Sequence, residues 1–379
     1  MPQPTWHSEF PLRDDLIYLN HAGVAPWPQR SADAVAAFAQ ENAELGARHY
    51  PSWLSTERGL RAQLRQLINA PASEDIALLK NTSEGLSFVA NGLDWRPGDN
   101  IVTSDEEFPS NRIVWQALAE RGVELRQIAL RGEGDASPEA RLMAACDART
   151  RLLAISSVQY ASGLRMDLMA LGDQCRARGV LFCVDAIQSI GAVEFDVQAI
   201  KADFAVADGH KWMLGPEGVA LFFVRPELRE KLRLSEYGWH MVADQDTYEY
   251  RDWRPHPGAR RFECGSPNML GIVGLSASLS LLLEVGMATV EELLLEKTHF
   301  LLRLMDAEPM LELVTAPTPG RYAGIVSFRH AKMQPIDLFE YLSEMGVVCA
   351  MRGGALRYSP HFYTPVERLE QAVKLAAQA

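Results

Sequence analysis

The stretch ADGHKWMLGPEG, residues 207–218, places Lys211 on a glycine-rich turn between two short apolar segments. Upstream, the apolar run VLFCV at residues 180–184 ends at Asp185. Short apolar runs that are bounded by turn residues are typical of strands buried inside a parallel sheet. These two stretches therefore predict neighbouring buried strands, with an aspartate at the end of one strand and a lysine on the turn after another.

Lysine on such a turn and aspartate at such a strand end are the pair that pyridoxal-phosphate chemistry requires. The amine forms a Schiff base with the cofactor, and the carboxylate keeps the pyridine nitrogen protonated so that the ring accepts electrons. Each residue taken alone has a simpler interpretation. Lys211 by itself is typical of a solvated surface lysine, and Asp185 is typical of a turn former or cap.

The rest of the chain alternates between short apolar strands and helices. This order predicts an α/β fold with a mostly parallel sheet that is covered by helices on both faces. Thr82, Asp105, Gln159 and Asp185 lie at or just past the ends of predicted strands. Because ligands bind outside the carboxyl ends of such strands, we expect these side chains to converge on one crevice.

The overall composition limits the classes of function that are compatible with the chain. The chain has 379 residues, of which 47% are hydrophobic, so it is long enough for a large domain with a smaller one. A net charge of -12 argues against nucleic acid or an anionic membrane as the main partner. The five cysteines are scattered without metal-ligand spacing, which predicts no metal site and reduced thiols in a cytoplasmic protein.

The segment NTSEG, residues 81–85, opens the helix that follows the first apolar strand. Asn81 followed three residues later by Glu84 is a capping-box pattern, so the segment is explained by helix capping alone. The same geometry also exposes backbone N–H groups at a helix N-terminus, which suits a phosphate. Both interpretations hold together.

In their order along the chain, several motifs resemble those of the class V aminotransferase fold. This pyridoxal-phosphate family includes cysteine desulfurases, isopenicillin N epimerase and kynureninase. The resemblance runs from Tyr18 to the last helix and rests on YLNHAG (18–23), TSEG (82–85), EFPSN (107–111), VQY (158–160), VDAIQ (184–188), GHK (209–211), RFECGSPN (261–268) and RYSPHFY (357–363). It implies fold type I, with a large cofactor-binding domain at 20–265. Residues 1–19 and 266–379 are expected to form a small α+β domain with an N-terminal arm.

The resemblance also implies roles by position. Lys211 is the Schiff-base lysine and then shuttles a proton at the substrate Cα. Asp185 is the partner of the pyridinium nitrogen, and Gln188 contacts the phenolic oxygen of the cofactor. The cofactor-binding set implied in this way is Thr82, Ser83, Phe108, Gln159, Asp185, Gln188, His210, Lys211 and Ser266. Ser266 is expected to reach the phosphate of a neighbouring subunit, which implies a homodimer with shared active sites.

Substrate contacts are implied near both ends of the chain. Arg357 matches the arginine that clamps the α-carboxylate of an amino acid, a task for which its planar fork is suited. Arg352, in the preceding glycine-rich turn, is a second candidate, and it is equally typical of a surface arginine. Asn20 and His21 are candidates for the entrance of the site, although an Asn-His pair is also typical of a helix cap.

Two positions depart from the family pattern. Asp208 stands where many relatives carry serine or another neutral phosphate ligand, and a carboxylate beside a phosphate is unfavourable. We therefore assign it no phosphate contact. Cys349 lies in a short apolar run where related desulfurases have a mobile loop with a nucleophilic cysteine. A cysteine in such a run is typical of a small core residue, which weakens the desulfurase interpretation.

The favoured function is that of a pyridoxal-phosphate enzyme that acts on an amino acid, a small-molecule substrate, through a Lys211 Schiff base, by transamination or a related racemase, epimerase or lyase reaction. Transamination is preferred because the family carries that label and the persulfide loop is missing. Cysteine desulfurase or cysteine lyase activity is the alternative within the family. A nicotinamide-dependent oxidoreductase would need a Gly-x-Gly-x-x-Gly turn after a first strand, and the sequence contains none.

Overall fold

The computed structural model describes residues 5–132, 134–244 and 252–379, so residues 1–4 of the predicted N-terminal arm lie outside the described residues. The strands are β1 (Ile17–Tyr18), β2 (Ile76–Leu79), β3 (Asn100–Ser104), β4 (Glu124–Ile128), β5 (Thr150–Ser156), β6 (Leu181–Asp185), β7 (Phe204–Asp208), β8 (Ala220–Val224), β9 (Leu311–Leu313), β10 (Val326–His330), β11 (Val347–Val348), β12 (Ala350–Arg352) and β13 (Ala355–Tyr358). The helices are α1 (Gln29–Leu45), α2 (Tyr50–Leu67), α3 (Thr82–Gly92), α4 (Ser110–Gln116), α5 (Pro138–Ala144), α6 (Leu168–Arg178), α7 (Met269–Val285), α8 (Met287–Asp306), α9 (Pro335–Glu344) and α10 (Val366–Ala377).

A seven-stranded sheet forms the centre of the molecule, in the order β2-β8-β7-β6-β5-β3-β4. The pairs from β4 to β7 are parallel, and β8 runs antiparallel to both β7 and β2. Successive residues of one strand lie in separate hydrophobic clusters, Phe204 and Val206 on one side and Ala205 and Ala207 on the other. Both faces of the sheet are therefore covered, which confirms the predicted fold type I architecture.

The C-terminal part adds a four-stranded antiparallel sheet in the order β12-β13-β10-β9. Helices α8 and α9 pack against this sheet, and α10 packs against both of these helices. Strand β1, from the N-terminal part, pairs with β11. Helix α7, which lies beyond the predicted boundary at 265, packs against α1 and α2 and joins the core of the central sheet. The exact domain boundaries stay a prediction.

Helix α7 is almost wholly apolar and is largely buried in this core. Among the described helices, none is by itself long and apolar enough to cross a membrane. Helices α7 and α8 meet that test only as a pair, and the chain bends by 84° between them.

Two elements appear without a strong signal in the sequence. The positions of α2 that face inward include Glu57 and Arg61, which form a buried ion pair at 2.6 Å, so the apolar stripe of this helix is interrupted. Strand β4 is an edge strand in which most side chains are at least partly exposed, and its sequence ELRQI is correspondingly polar. Helix α4 is short and is followed directly by a 3-10 turn at Ala117–Arg121.

Candidate active site

One cavity lies at the carboxyl edge of the central sheet, where β2, β6 and β7 end. Its volume is about 320 Å³. The side chains and backbone around it come from both sheets and from the segment after β1. They are Asn20, Ala22, Gly23, Val24, Thr82, Phe108, Ser110, Tyr160, Asp185, Ile187, Gln188, Asp208, His210, Lys211, Arg352 and Arg357.

Lys211 is carried by a tight turn between β7 and β8. The N–H of Gly209 donates to the carbonyl oxygen of Val219, and that of Gly215 to Gly209, each at 2.8 Å. Leu214 closes the turn with a left-handed backbone at φ 60°, an uncommon conformation for a bulky residue. Burial lowers the pKa of the Lys211 amine, and Asp185 partly offsets this. The amine is therefore easier to deprotonate than an ordinary lysine, as a base at this position requires.

Asp185 ends β6 and is 2% exposed. Its Oδ1 accepts the N–H of Ile187 at 3.1 Å, which fixes the carboxyl group at the floor of the cavity. Burial raises the pKa of this carboxyl, while the charge of Lys211 opposes the rise. A cationic group placed against Asp185 would restore its ordinary ionisation, because an opposite charge favours the carboxylate.

The amide of Gln188 has a defined orientation in the cavity wall. Its Oε1 accepts the indole N–H of Trp212 at 2.8 Å, and its Nε2 donates to the carbonyl oxygen of Ala22 at 3.1 Å. An indole nitrogen is a donor only, so the amide cannot be reversed without losing this bond. One N–H of Gln188 remains for a ligand in the cavity.

Arg357, on β13, is 1% exposed and has unused hydrogen-bonding capacity. One terminal nitrogen donates to the carbonyl oxygen of Tyr160 at 2.9 Å, and the other to Oδ1 of Asn20 at 3.4 Å. Its Nε has no hydrogen-bond partner. Burial, with the neighbouring Arg352 charge, lowers the pKa of Arg357 to about 9. A buried guanidinium without a carboxylate partner is a ready site for an anionic ligand group.

Phe108 lies opposite Lys211, with the lysine Nζ 5.7 Å from the ring centroid. The ring is 39% exposed and meets Tyr160 edge-on at a centroid distance of 5.1 Å. A half-exposed aromatic face beside the lysine can stack on a planar ligand ring.

Four of the predicted site residues do not line this cavity. His21 is fully buried on the other side of the chain, where its ring bonds the carbonyl oxygen of Ser359 at 2.8 Å and the hydroxyl of Tyr363 at 2.7 Å. Placing His21 at the entrance beside Asn20 is therefore wrong. Adjacent residues of an extended segment point to opposite sides, and Asn20 is the one that faces the cavity.

Gln159, Ser83 and Ser266 are the other three. The Gln159 amide lies beneath the cavity and donates to Oε1 of the buried Glu107 at 2.9 Å, so its neighbour Tyr160 lines the wall instead. Ser83 points outward and bonds the hydroxyl of Ser110 at 2.8 Å. Ser266 is exposed and lines a separate cavity of about 340 Å³. Within this chain none of the three touches the Lys211 cavity.

The structure also brings in residues that carried no assigned role. Tyr160, Ser110 and Asp208 line the cavity. Tyr160 and Ser110 lie within the motifs VQY and EFPSN, which was the only available signal for them. Asn81 caps α3 as its pattern predicts, since its Oδ1 accepts the N–H of Glu84 at 2.9 Å.

Comparison with known proteins identifies the family. A sequence model of the family described as aminotransferase class V matches residues 17–363, a range that includes the central sheet and the Lys211 turn. The chain belongs to the class V aminotransferase family. This membership removes the nicotinamide-dependent oxidoreductase from consideration.

The chain is similar to two named proteins, one of which has been solved in two forms. A probable cysteine desulfurase of Methanothermobacter thermautotrophicus is 32% identical over 385 aligned residues, which cover 96% of this chain and 94% of that protein. The cystine C–S lyase C-DES, solved with its product cysteine persulfide, is 25% identical with a TM-score of 0.88, over 96% of this chain and 98% of that one. A mutant of C-DES with glycine covalently linked to its pyridoxal phosphate is 24% identical with a TM-score of 0.90, and the match covers 99% of both chains.

Pyridoxal phosphate is the cofactor of class V aminotransferases, and the residues of the cavity fit it. When bound, it supplies an aldehyde that joins an amine and a protonated ring that accepts the electron pair of a broken bond at Cα. Lys211 and Asp185 line one cavity, where they would supply the amine and the carboxylate for this cofactor. The buried Thr82 hydroxyl at the N-terminus of α3 has no hydrogen-bond partner, and a phosphate would satisfy it.

Replacing Arg357 by lysine is expected to weaken substrate use. Lysine keeps the charge but loses the planar pair of N–H donors, so a carboxylate loses about one charge-assisted hydrogen bond. We expect KM to rise about 10- to 100-fold, with a smaller change in kcat. Steady-state kinetics with an accepted amino acid measures this.

Arg329→Lys is the matched control, because Arg329 on β10 is exposed and bonds only the backbone oxygen of Gly354 among the described contacts. Its kinetics should equal those of the unmodified protein. An unchanged KM in Arg357→Lys would show that the carboxylate binds elsewhere.

Proposed function

We propose that this protein is a pyridoxal-phosphate-dependent carbon–sulfur lyase. It breaks the Cβ–S bond of a cysteine-type amino acid by β-elimination and uses no protein thiol. The observation that carries the proposal is the absence of a cysteine from the cavity that holds Lys211 and Arg357, among the residues that the structure describes. The names of the relatives support sulfur chemistry on a cysteine-type substrate.

Cys349 is the residue on which a desulfurase mechanism would depend. A persulfide carrier must present a thiolate to the substrate sulfur. Cys349 lies between β11 and β12, is 6% exposed and belongs to the core of the C-terminal sheet. Burial raises the pKa of its thiol to about 12. It therefore stays protonated at neutral pH, and it does not line the cavity.

Different side chains of the cavity carry out different parts of the elimination. Arg357 holds the α-carboxylate, so the Cα–H bond of the substrate has a fixed direction. The Lys211 amine removes the Cα proton, and the sulfur leaves with the electron pair of the Cβ–S bond. Burial of Lys211 favours the neutral amine that this step needs. Phe108 and Tyr160 shield the reacting atoms from water on one side.

A disulfide amino acid such as cystine fits the two arginines of the cavity. Arg357 is buried and suits the first carboxylate, while Arg352 is exposed at the mouth and suits the second. Elimination from cystine consumes one water and yields pyruvate, ammonia and cysteine persulfide. With cysteine itself the sulfur product is hydrogen sulfide. C-DES, whose name describes a cystine lyase, supports this choice.

The other two reactions differ in what they consume and release. Transamination, which the family label favours, needs a keto acid as amino acceptor and releases no sulfur. A cysteine desulfurase turns cysteine into alanine and needs the thiol of Cys349. The relatives favour sulfur chemistry over transamination, and the burial of Cys349 favours elimination over desulfuration.

Incubating the protein with L-cystine or L-cysteine tests the proposal. We expect pyruvate, ammonia and sulfane sulfur or sulfide in equal amounts, without added keto acid. Cys349→Ala should keep the full rate, because the thiol takes no part. Alanine as product, with more than a tenfold loss in Cys349→Ala at unchanged cofactor content, would support a desulfurase. A strict requirement for a keto acid would support transamination.

We further infer a homodimer in the cytoplasm. The support for a dimer is the position of Ser266, which is exposed beside Cys264 in a cavity separate from that of Lys211 and so is available to a second copy. The support for a cytoplasmic location is the set of five cysteines without a disulfide in the structure.

A further inference from the structure

Asp208 occupies an anion-binding position inside the Lys211 cavity. Its Oδ1 accepts the N–H of Thr82 at the N-terminus of α3, at 3.1 Å, and the residue is 8% exposed. The Thr82 hydroxyl lies close enough to lower the pKa of Asp208, yet it has no partner in hydrogen-bond geometry. The N-terminus of a helix is a natural site for a phosphate. Here the carboxylate of the protein itself is held at that place.

The fold keeps Asp208 and the helix terminus together. Strand β7 is hydrogen-bonded to β6 on one side and to β8 on the other. Gly85, in the first turn of α3, lies directly on Val206 of β7, and a Cβ at Gly85 would approach a Val206 methyl to 2.7 Å. Because the two elements pack this closely, a phosphate at this terminus would lie beside the Asp208 side chain.

The charged groups around Asp208 do not cancel its charge. Lys211 stabilises the carboxylate, Glu217 destabilises it, and Asp208 in turn raises the pKa of Asp185. The Nδ1 of His210 is 3.9 Å from the carboxylate, but burial lowers the pKa of His210 to about 4, so the ring is neutral at pH 7. Burial raises the pKa of Asp208 to about 6.

We propose that the cofactor phosphate binds at the N-terminus of α3 together with one proton, which Asp208 takes up. With this proton the carboxyl carries no charge beside the phosphate. One oxygen keeps its bond from the Thr82 N–H, and the other becomes a donor to a phosphate oxygen. This inference rests on the cofactor of the family and not on the carbon–sulfur reaction, so the two can fail separately.

The proposal makes cofactor affinity depend on pH with a definite sign. Binding that requires a protonated group weakens about tenfold for each pH unit above the pKa of the free group. The pKa of Asp208 in the free protein is about 6, so at pH 8 the loss is about 100-fold. Asp208→Asn keeps an acceptor for Thr82 and supplies a donor without taking up a proton. It should bind about 100-fold more tightly than wild type at pH 8 and equally well at pH 5.

Pyridoxamine 5′-phosphate is the appropriate probe, because it has no aldehyde to react with Lys211. Its dissociation constant for the cofactor-free protein is measured by equilibrium dialysis between pH 5 and 8.5, for wild type and Asp208→Asn. The phosphate of the probe itself titrates near pH 6, equally for both proteins, so their ratio isolates Asp208. Pyridoxamine without phosphate is the control, and the substitution should change its affinity less than about twofold, since Asp208 acts on the phosphate.

Calorimetry in two buffers of different ionisation enthalpy counts the proton directly. Wild type should take up about one proton more than Asp208→Asn at pH 8, as the linkage requires. Equal proton uptake with equal affinities at pH 8 would overturn the proposal. The proposal would also be overturned if Asp208→Asn bound the probe more tightly than wild type by the same factor at every pH. That result would mean that Asp208 stays ionised and repels the phosphate. If Asp208→Asn folds poorly, Asp208→Ser, which likewise has no group that titrates between pH 5 and 8.5, replaces it in both comparisons with wild type.

Discussion

Lys211→Ala is expected to abolish turnover and the visible absorption band of lysine-bound pyridoxal phosphate. Lys211 is the lysine that lines the cavity with Asp185 and Arg357, so no second amine among the described residues replaces it. Loss of a positioned base alone costs about 10² to 10⁴ in rate, and loss of the covalent link adds to this. Product assays and absorption spectra of the reconstituted protein measure both effects.

The matched control is Lys201→Ala, because Lys201 is an exposed lysine that pairs with Asp173 on the surface. This variant should keep both the band and the activity. Lys211→Ala should still bind pyridoxamine 5′-phosphate, since Asp185 and the α3 terminus remain. A Lys211→Ala protein that retains the band would place the cofactor link on another residue and refute the assigned role.

Asp185→Asn is expected to lower kcat by about 10² to 10³ while leaving the fold intact. The amide has the shape of the carboxyl and keeps the bond from Ile187, but it cannot hold a positive charge on the cofactor ring. Removing one group that stabilises developing charge in a buried site costs about this much. Steady-state kinetics at saturating cofactor, with the cofactor content verified by absorbance, measures the effect.

Asp203→Asn separates this effect from general damage to the sheet. Asp203 is also a buried aspartate of the sheet region, but its oxygens bond Arg225 and the N–H of Phe182, away from the cavity. Its substitution should lower the thermal midpoint and leave kcat of the folded protein unchanged. If Asp185→Asn resembles Asp203→Asn in both properties, then Asp185 serves the fold and not the chemistry.

Apart from β4, the strands of the central sheet were predictable because they are buried on both faces. Runs such as those at 76–79 and 220–224 are continuously apolar and carry their own signal. Helix α2 and strand β4 were not predictable in this way. The pattern of α2 is set by the buried ion pair of Arg61 with Glu263 at 2.6 Å, and that of β4 by its place at the exposed edge of a sheet; both depend on contacts that are distant in sequence.

The residues of the site were likewise predictable only in part. Lys211 and Asp185 were identifiable because their residue types are required by the chemistry and their positions follow apolar strands. The choice between Asn20 and His21, or between Gln159 and Tyr160, depends on which way a side chain points. In an extended chain that direction reverses at each residue, so an error of one position moves a residue from the cavity to the core.

The reversed direction of β8 has a consequence for motion. Parallel neighbours require a long crossover, usually with a helix, whereas antiparallel strands can be joined by a short loop. The chain therefore returns from β7 to β8 through residues 209–219, and hydrogen bonds within this loop restrict its movement. Lys211 and Asp185 consequently belong to one stiff body. We therefore expect any adjustment to a bound substrate to occur in the other wall of the cavity, where Arg352 is exposed at the end of β12 and adjoins the paired glycines 353 and 354.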